Sequence, residues 1–310
     1  MTDLDDYRAW LQSLPRRGAY HALSPHRPYE TAEEGYDRDA APSLYAGELL
    51  TGMLSAVAPG LSGLCLEIGC GTGYLTCGLV DAGRFERYLV TDGSERFLDL
   101  TRAKLARIGR LETVDFAVFN GDDLREIAFD RFALIALRSV LHHIADYRGF
   151  FAGLARRLKP GGVIAMLEPR AEFFLMTATL LGFLPALAEK DGAPLSAAEL
   201  GHVRLFDATT RFYLDRTSDK TGAEDRYAFT TEELAELASE NGLSFHRMGA
   251  EGKTGYGDDL VSYLAYCMSF PDELMAKVKR LLAQSARGID ETLKDLSPIN
   301  ASEWLLFRRA

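Results

Sequence analysis

The residues best suited to chemistry in this chain gather at three points in its first half. Leu66-Glu67-Ile68-Gly69-Cys70-Gly71-Thr72-Gly73 follows a stretch of buried-strand character and opens a helix. Glycines at alternate positions let the backbone turn sharply and let a ligand approach it closely. The helix N-terminus adds unsatisfied N–H groups. The dinucleotide fingerprint G-x-G-x-x-G is not satisfied, because the sixth position is Tyr74 counted from Gly69 and Thr76 counted from Gly71. The second point is Thr91-Asp92-Gly93-Ser94, with Asp92 lying 19 residues beyond Gly73. A carboxylate at the tip of the neighbouring strand accepts both hydroxyls of a ribose. The third is Asn120-Gly121-Asp122-Asp123, where an acid can take the exocyclic amine of an adenine. Together they describe a nucleoside site without a clear pyrophosphate cradle. The plainer reading is a bare tight turn, with acids that only cap the following helices.

Groups able to move a proton come later in the chain. Arg138-Ser139-Val140-Leu141-His142-His143 ends one strand, and Glu168 and Arg170 flank the end of the next. His142 and His143 are the candidate bases; being adjacent, they point in different directions, so at most one faces a common pocket. Glu168 or Arg170 is placed to polarise a substrate, with a helix-cap or ion-pair role as the alternative. His202 and Tyr213 are further candidates. No carboxylate and histidine set has metal-ligand spacing, so metal independence is expected. Cys65, Cys70, Cys77 and Cys267 match neither a disulfide framework nor a zinc site.

The elements that must position these groups alternate. Strands are expected at Leu64–Ile68, Arg87–Thr91, Val114–Phe119, Phe132–Leu137 and Val163–Leu167, with helices at Thr72–Ala82, Ser94–Ile108 and Ala145–Leu158. This rhythm implies a parallel sheet covered on both faces. Residues 1–45 are polar and irregular, with helix at Asp3–Ser13 and another from Ser43 to Val57. Lys159-Pro160-Gly161-Gly162 reads as a turn. The rhythm breaks over 171–229 and returns with the capping pattern Thr230–Glu233, a helix ended by Gly242, a strand at Leu243–Met248, helix over 258–293 and a strand at Glu303–Arg308. The expected organisation is an amino-terminal segment 1–45, a core 46–170, a helical insertion 171–229 acting as a lid, and 230–310 completing the sheet. The Arg211–Arg226 stretch reads as polar and mobile.

Composition narrows the function. Lys and Arg number 35 against 45 Asp and Glu, a net charge of −10, which disfavours a partner whose phosphates must be neutralised. The acidic start MTDLDDYRAW lacks the apolar core of a secretory signal. The longest apolar run, Phe173–Ala188, is shorter than the ~20 residues that span a bilayer and contains Gly182 and Pro185. A cytoplasmic protein without a membrane span is expected. That run reads as the inner face of the lid or, alternatively, as a homodimer surface, ordinary core or a membrane-surface contact.

The motifs LEIGCGTG (66–73), VTDGS (90–94), NGDD (120–123), ALRSVLHHI (136–144) and LKPGGVIAMLEP (158–169) occur in order, with FTTEELAELASENGL (229–243) and EWLLFRR (303–309) as weaker matches. In these the chain resembles the class I S-adenosylmethionine-dependent methyltransferases. The resemblance implies an α/β, Rossmann-like, mostly parallel sheet of seven strands with helices on both faces and the last strand inserted between its neighbours. It implies that Glu67 and the turn Gly69, Cys70, Gly71 and Gly73 hold the methionine part of S-adenosyl-L-methionine. Asp92, with Gly93 and Ser94, would take the ribose, and Asp122 with the Asp123 backbone the adenine. Arg138 and Tyr36 are expected at the methionine end, and the strand tip before His142 and His143 faces the transferred methyl. The resemblance does not extend to 1–45 or 171–229, the parts that vary with substrate.

The function expected is methyl transfer to a small, partly apolar or aromatic metabolite, leaving S-adenosyl-L-homocysteine. A protein that binds the sulfonium without transferring its methyl is the first alternative. A nicotinamide-dependent oxidoreductase is the second, and the missing fingerprint argues against it.

Overall fold

The computed structural model describes residues 2–24, 41–121, 124–251, 255–293 and 299–310. Tyr36, Asp122 and Asp123 lie outside the described residues. The chain divides into two compact units: residues 1–167, 234–248 and 304–310 form one, and 168–233 and 249–303 the other.

In chain order the elements are α1 (Asp3–Ser13), β1 (Arg16–Arg17), β2 (Tyr20–Ala22), α2 (Tyr45–Val57), β3 (Leu64–Ile68), α3 (Tyr74–Asp81), β4 (Arg87–Asp92), α4 (Glu95–Arg107), β5 (Val114–Val118), β6 (Phe132–Arg138), α5 (Tyr147–Arg157), β7 (Leu158–Pro169), α6 (Ala171–Lys190), α7 (Ala197–Leu214), α8 (Thr231–Glu240), β8 (Leu243–Gly249), α9 (Tyr256–Ser262), α10 (Asp272–Leu293) and β9 (Ser302–Arg309).

The first unit holds the sheet, ordered β1-β2-β5-β4-β3-β6-β7-β9-β8. β3 is buried at every residue and β6 at all but its last, the continuous apolar pattern of strands covered on both faces. β3 pairs in parallel with β4 on one side and β6 on the other, so the strand order reverses beside β3. Open α/β sheets take ligands in the crevice outside the carboxyl ends of strands at such a point. The final strand, β9, lies between β7 and β8.

Three details depart from the expectations. First, the sheet has nine strands rather than seven, because β1 and β2 extend it: β2 pairs in parallel with β5 through His21–Ala117 and Ala22–Val118. Strands of two and three residues carry no readable alternation, and side chains distant in sequence hold them. Arg17 of β1 pairs with Glu95, and the Tyr20 hydroxyl of β2 donates to Asp99, both partners lying on α4. Second, Lys159–Gly162 is a bulge inside a longer β7, since the register passes from Phe132–Leu158 directly to Leu134–Val163. Third, residues 230–310 do not all complete the sheet; 249–303 pack with 168–233.

That second unit follows from amphipathicity. α10 carries Leu274, Met275, Val278, Leu282 and Ala286 on one buried stripe, and a stripe of that kind needs an apolar partner. α6 provides one, with Phe173, Phe174, Thr177, Leu181, Leu184 and Ala188 buried. The Thr177 and Tyr256 hydroxyls lie 3.1 Å apart, and Lys277 pairs with Glu199 at 2.9 Å. Among the described residues, α6 is the one helix long and apolar enough to cross a bilayer.

The 215–229 segment is tied down rather than loose. Arg216 pairs with Glu233 at 2.7 Å, donates to the Ala228 carbonyl at 2.6 Å and lies over the rings of Tyr227 and Phe229. Lys220, buried, donates to the carbonyls of Phe212 and Arg226 between the rings of Phe212 and Tyr227.

Candidate active site

The turn after β3 brings three glycines into left-handed backbone, at φ 73° for Gly69, 51° for Gly71 and 83° for Gly73. Their reasons differ. A Cβ on Gly69 would stand 2.6 Å from Val140 Cγ2, and one on Gly73 would stand 2.9 Å from Thr101 Oγ1. At Gly71 it would meet nothing within 4 Å among the described residues. Gly69 and Gly73 are thus required by packing as well as conformation, whereas Gly71 presents bare backbone to open space. The Thr91 carbonyl accepts the N–H groups of both Gly69 and Cys70, at 2.9 and 3.0 Å, and Thr101 Oγ1 donates to the Gly71 carbonyl at 3.0 Å. Behind the turn, α2 and α3 meet backbone to backbone: a Cβ on Gly78 would lie 2.1 Å from the Leu44 carbonyl oxygen.

Asp92 ends β4 and closes the turn from the side. One carboxylate oxygen accepts the Gly71 N–H at 2.8 Å and the other the Ser94 N–H, also at 2.8 Å. Ser94 in turn caps α4, its hydroxyl accepting from the Phe97 N–H at 3.3 Å. Glu67 occupies the penultimate position of β3 and is 3% exposed. Burial pushes its carboxyl up to about 8, and Asp92 adds to the shift; the Thr76 hydroxyl and, more weakly, Arg138 oppose it. Burial likewise holds the Cys70 thiol well above its usual range, with Asp92 next in effect.

Arg138, at the tip of β6, lies over the ring of Tyr74, the first residue of α3, with 4.6 Å between guanidinium carbon and ring centre. Sequence reasoning missed Tyr74 as its partner. It also missed Ser139, an exposed residue at φ 58° whose N–H donates to the Leu167 carbonyl at 2.9 Å. Non-glycine residues in this region cluster at functional sites. His142 is buried and His143 half-buried in a single helical turn, Leu141–His143, their ring centres 4.0 Å apart.

On the far side of Asp92, the Phe119 N–H donates to the Asp92 carbonyl at 2.9 Å, which sets the β5 tip against Gly93. Glu67, Gly69, Cys70, Gly71, Gly73, Asp92, Gly93, Ser94 and Arg138 therefore share the carboxyl edge of β3, β4 and β6. Glu168 belongs to the second unit and is fully buried. Arg170 is also buried there, donating to Thr231 at 2.7 Å and pairing with Glu303 at 3.4 Å, an internal ion pair. His202 packs on Phe270, and the Tyr213 hydroxyl donates to Asp225 at 3.4 Å.

A family profile described as a methyltransferase domain matches residues 66–164, the stretch that contains the glycine turn, Asp92 and the histidine pair. Within residues 66–164 the chain is thus similar to methyltransferase domains. The malonyl-[acyl-carrier protein] O-methyltransferase of Prosthecochloris aestuarii is 33% identical over 135 residues, which cover 42% of this chain and 48% of that protein. The reducing polyketide synthase Preu2 of Preussia isomera is 30% identical over 132 residues, 42% of this chain and 6% of the synthase. The chain thus spans less than half the length of these two relatives. Among solved structures, the YcgJ protein of Bacillus subtilis aligns with a TM-score of 0.48 at 15% identity, covering 84% of this chain and 97% of that one.

The residues of this stretch fit S-adenosylmethionine, the cofactor that the resemblance implies. Gly71 leaves space for a ligand against the backbone, and two carboxyl groups, those of Glu67 and Asp92, stand beside it. That set of acceptor oxygens beside open backbone suits a molecule carrying a sulfonium, an ammonium and a ribose.

Proposed function

We propose that this chain transfers the methyl group of S-adenosylmethionine to a small, partly apolar or aromatic metabolite and releases S-adenosylhomocysteine, without a metal. The observation that carries the reading is the coupling of Asp92 to Gly71 beside an open glycine face. It supports a ribose held by a carboxylate that is already oriented, next to a turn on which the methionine part rests. When bound, the cofactor supplies an activated methyl group; the protein's share is orientation and a dry site.

In this reading Glu67 and Arg138 stand at the methionine end, Gly93 and Ser94 flank the ribose, and Tyr36, Asp122 and Asp123 complete the set. His143, the more accessible of the pair, is the candidate base, and His142 is its packing partner. Glu168 is the further candidate for a polarising group. The apolar run Phe173–Ala188 supports a partly apolar or aromatic acceptor. The names of the relatives, a malonyl-[acyl-carrier protein] O-methyltransferase and a polyketide synthase, support a small-molecule acceptor.

Calorimetry tests the cofactor: S-adenosylhomocysteine should bind and NAD should not. Incubation with methyl-labelled cofactor and a metabolite extract tests the transfer. Binding without any labelled product would favour the alternative in which the sulfonium is held but its methyl is not transferred.

A further inference from the structure

Ser24 follows β2, outside the residues matched by the methyltransferase profile, and is 6% exposed. Its hydroxyl donates to Glu126 Oε2 at 2.5 Å and accepts the backbone N–H of Asn120 at 3.1 Å. The backbone N–H groups of Leu23 and Ser24 both donate to the Val118 carbonyl, at 2.9 and 3.3 Å. One residue on from Val118, the Phe119 N–H donates to the Asp92 carbonyl, and Asn120 Oδ1 lies 3.7 Å from where a Cβ on Gly93 would be. Ser24 is therefore one hydrogen bond away from the backbone that lines Asp92 and Gly93.

The backbone ladder already pairs β2 to β5, so the sheet edge does not need this side chain. The hydroxyl has one proton and gives it to a carboxylate, a charge-assisted bond that fixes its rotamer. With that rotamer set, its lone pair aims at the Asn120 N–H. The result is a bracket that joins an amino-terminal hairpin to the tip of β5 and to the short helical turn Leu124–Glu126.

We propose that Ser24 is a positioning residue for the base end of the nucleoside site, setting the direction of the chain at Asn120 and so the way the β5 tip meets the adenine. This rests on the adenosyl reading given above. It makes the β1–β2 hairpin a working part of the cofactor site.

The test is calorimetry on the full chain with S-adenosylhomocysteine and S-inosylhomocysteine, in which a carbonyl replaces the exocyclic amine. The wild type should prefer the adenosyl compound. Ser24→Ala should weaken it by about five- to tenfold, the scale of one buried hydrogen bond, and weaken the inosyl compound less, so that the preference narrows. Ser24→Thr keeps the hydroxyl and should restore the preference. An equal loss for both ligands, the signature of a loosened hairpin, overturns the inference, and so does an unchanged ratio. If the wild type itself ignores S-adenosylhomocysteine, the adenosyl reading fails and this inference with it; if only the ratio is unmoved, this inference alone fails. Should Ser24→Ala not fold, Glu126→Gln, which neutralises the acceptor, carries the same comparison: a narrowed preference supports the role, and an unchanged one overturns it.

Discussion

The carboxylate of Asp92, at the end of β4, accepts the backbone N–H of Gly71 across the crevice from β3, at 2.8 Å. Its second oxygen holds the Ser94 N–H at the start of α4. One side chain thus sets both the shape of the glycine turn and the position of the next helix. Asp92→Ala should weaken S-adenosylhomocysteine binding by about 1.5–3 kcal/mol, the scale of hydrogen bonds to a charged group, and lower the Tm as well. Asp92→Asn keeps an acceptor and should recover part of the Tm but less of the affinity. An unchanged Kd in the alanine variant would remove Asp92 from the site.

The three glycines of the turn should separate stability from binding. Gly69→Ala brings both a left-handed residue and a methyl group 2.6 Å from Val140, so it should unfold at lower temperature by more than the ~1–2 kcal/mol that the conformation alone costs. A methyl group at Gly71 meets nothing among the described residues. Gly71→Val should therefore stay folded, with only the conformational penalty, and lose ligand affinity because the branched side chain fills the open face. Thermal unfolding and calorimetry on the same two variants check this; equal losses of stability would sink the distinction.

Glu67 predicts a pH dependence. Its folded value, about 8, lies above the ordinary 4.5, so the neutral form is favoured in the folded chain. Below pH 4.5 the group is protonated in both states and costs nothing. As pH rises from about 4.5 to 8, the unfolded chain ionises first, and stability is lost progressively; above 8 the full penalty remains. Glu67→Gln should remove this slope. The Tm difference between variant and wild type should therefore move in the variant's favour between pH 5 and pH 8. A difference that stays flat over that range would show that Glu67 is not held neutral.

Lys220 should act as a pin for the segment from Asp215 to Phe229. Lys220→Met preserves packing between the rings of Phe212 and Tyr227 but loses two bonds to carbonyls. Amide exchange of the segment should accelerate by roughly tenfold or more, on the scale of 1.5–3 kcal/mol for a hydrogen bond made by a charged group. Exchange in β3 and β6 should not change. Protection that persists over 215–229 would assign the ordering to Arg216 alone.

Gly78 should tolerate no side chain, because a methyl there would stand 2.1 Å from the Leu44 carbonyl oxygen. Gly78→Ala should cost about 1–3 kcal/mol through forced separation of α2 and α3. Guanidinium unfolding of the variant measures it, and a wild-type midpoint would contradict the close crossing.

The alternating core was legible in the amino acids because its causes are local. Runs such as Leu64–Ile68 and Phe132–Leu137 are apolar throughout, and Gly69, Gly71 and Gly73 announce backbone that other residues avoid. The turn and the acids at the strand tips follow from those signals, and so does the resemblance they carry. The partners of those acids are not local. That Asp92 would hold Gly71, that burial would keep Glu67 neutral, and that Ser24 would meet Asn120 all depend on strands brought together from 21 to 96 residues apart. The second unit was hidden for the same reason: the stripe on α10 shows only that an apolar partner is needed, and the fold chose α6. The amino acids determined which segments are strand, turn or helix, through conformational preference and apolar period. Only the tertiary structure decided which charges are buried and which polar groups meet, because desolvation and hydrogen bonding are set by neighbours in space.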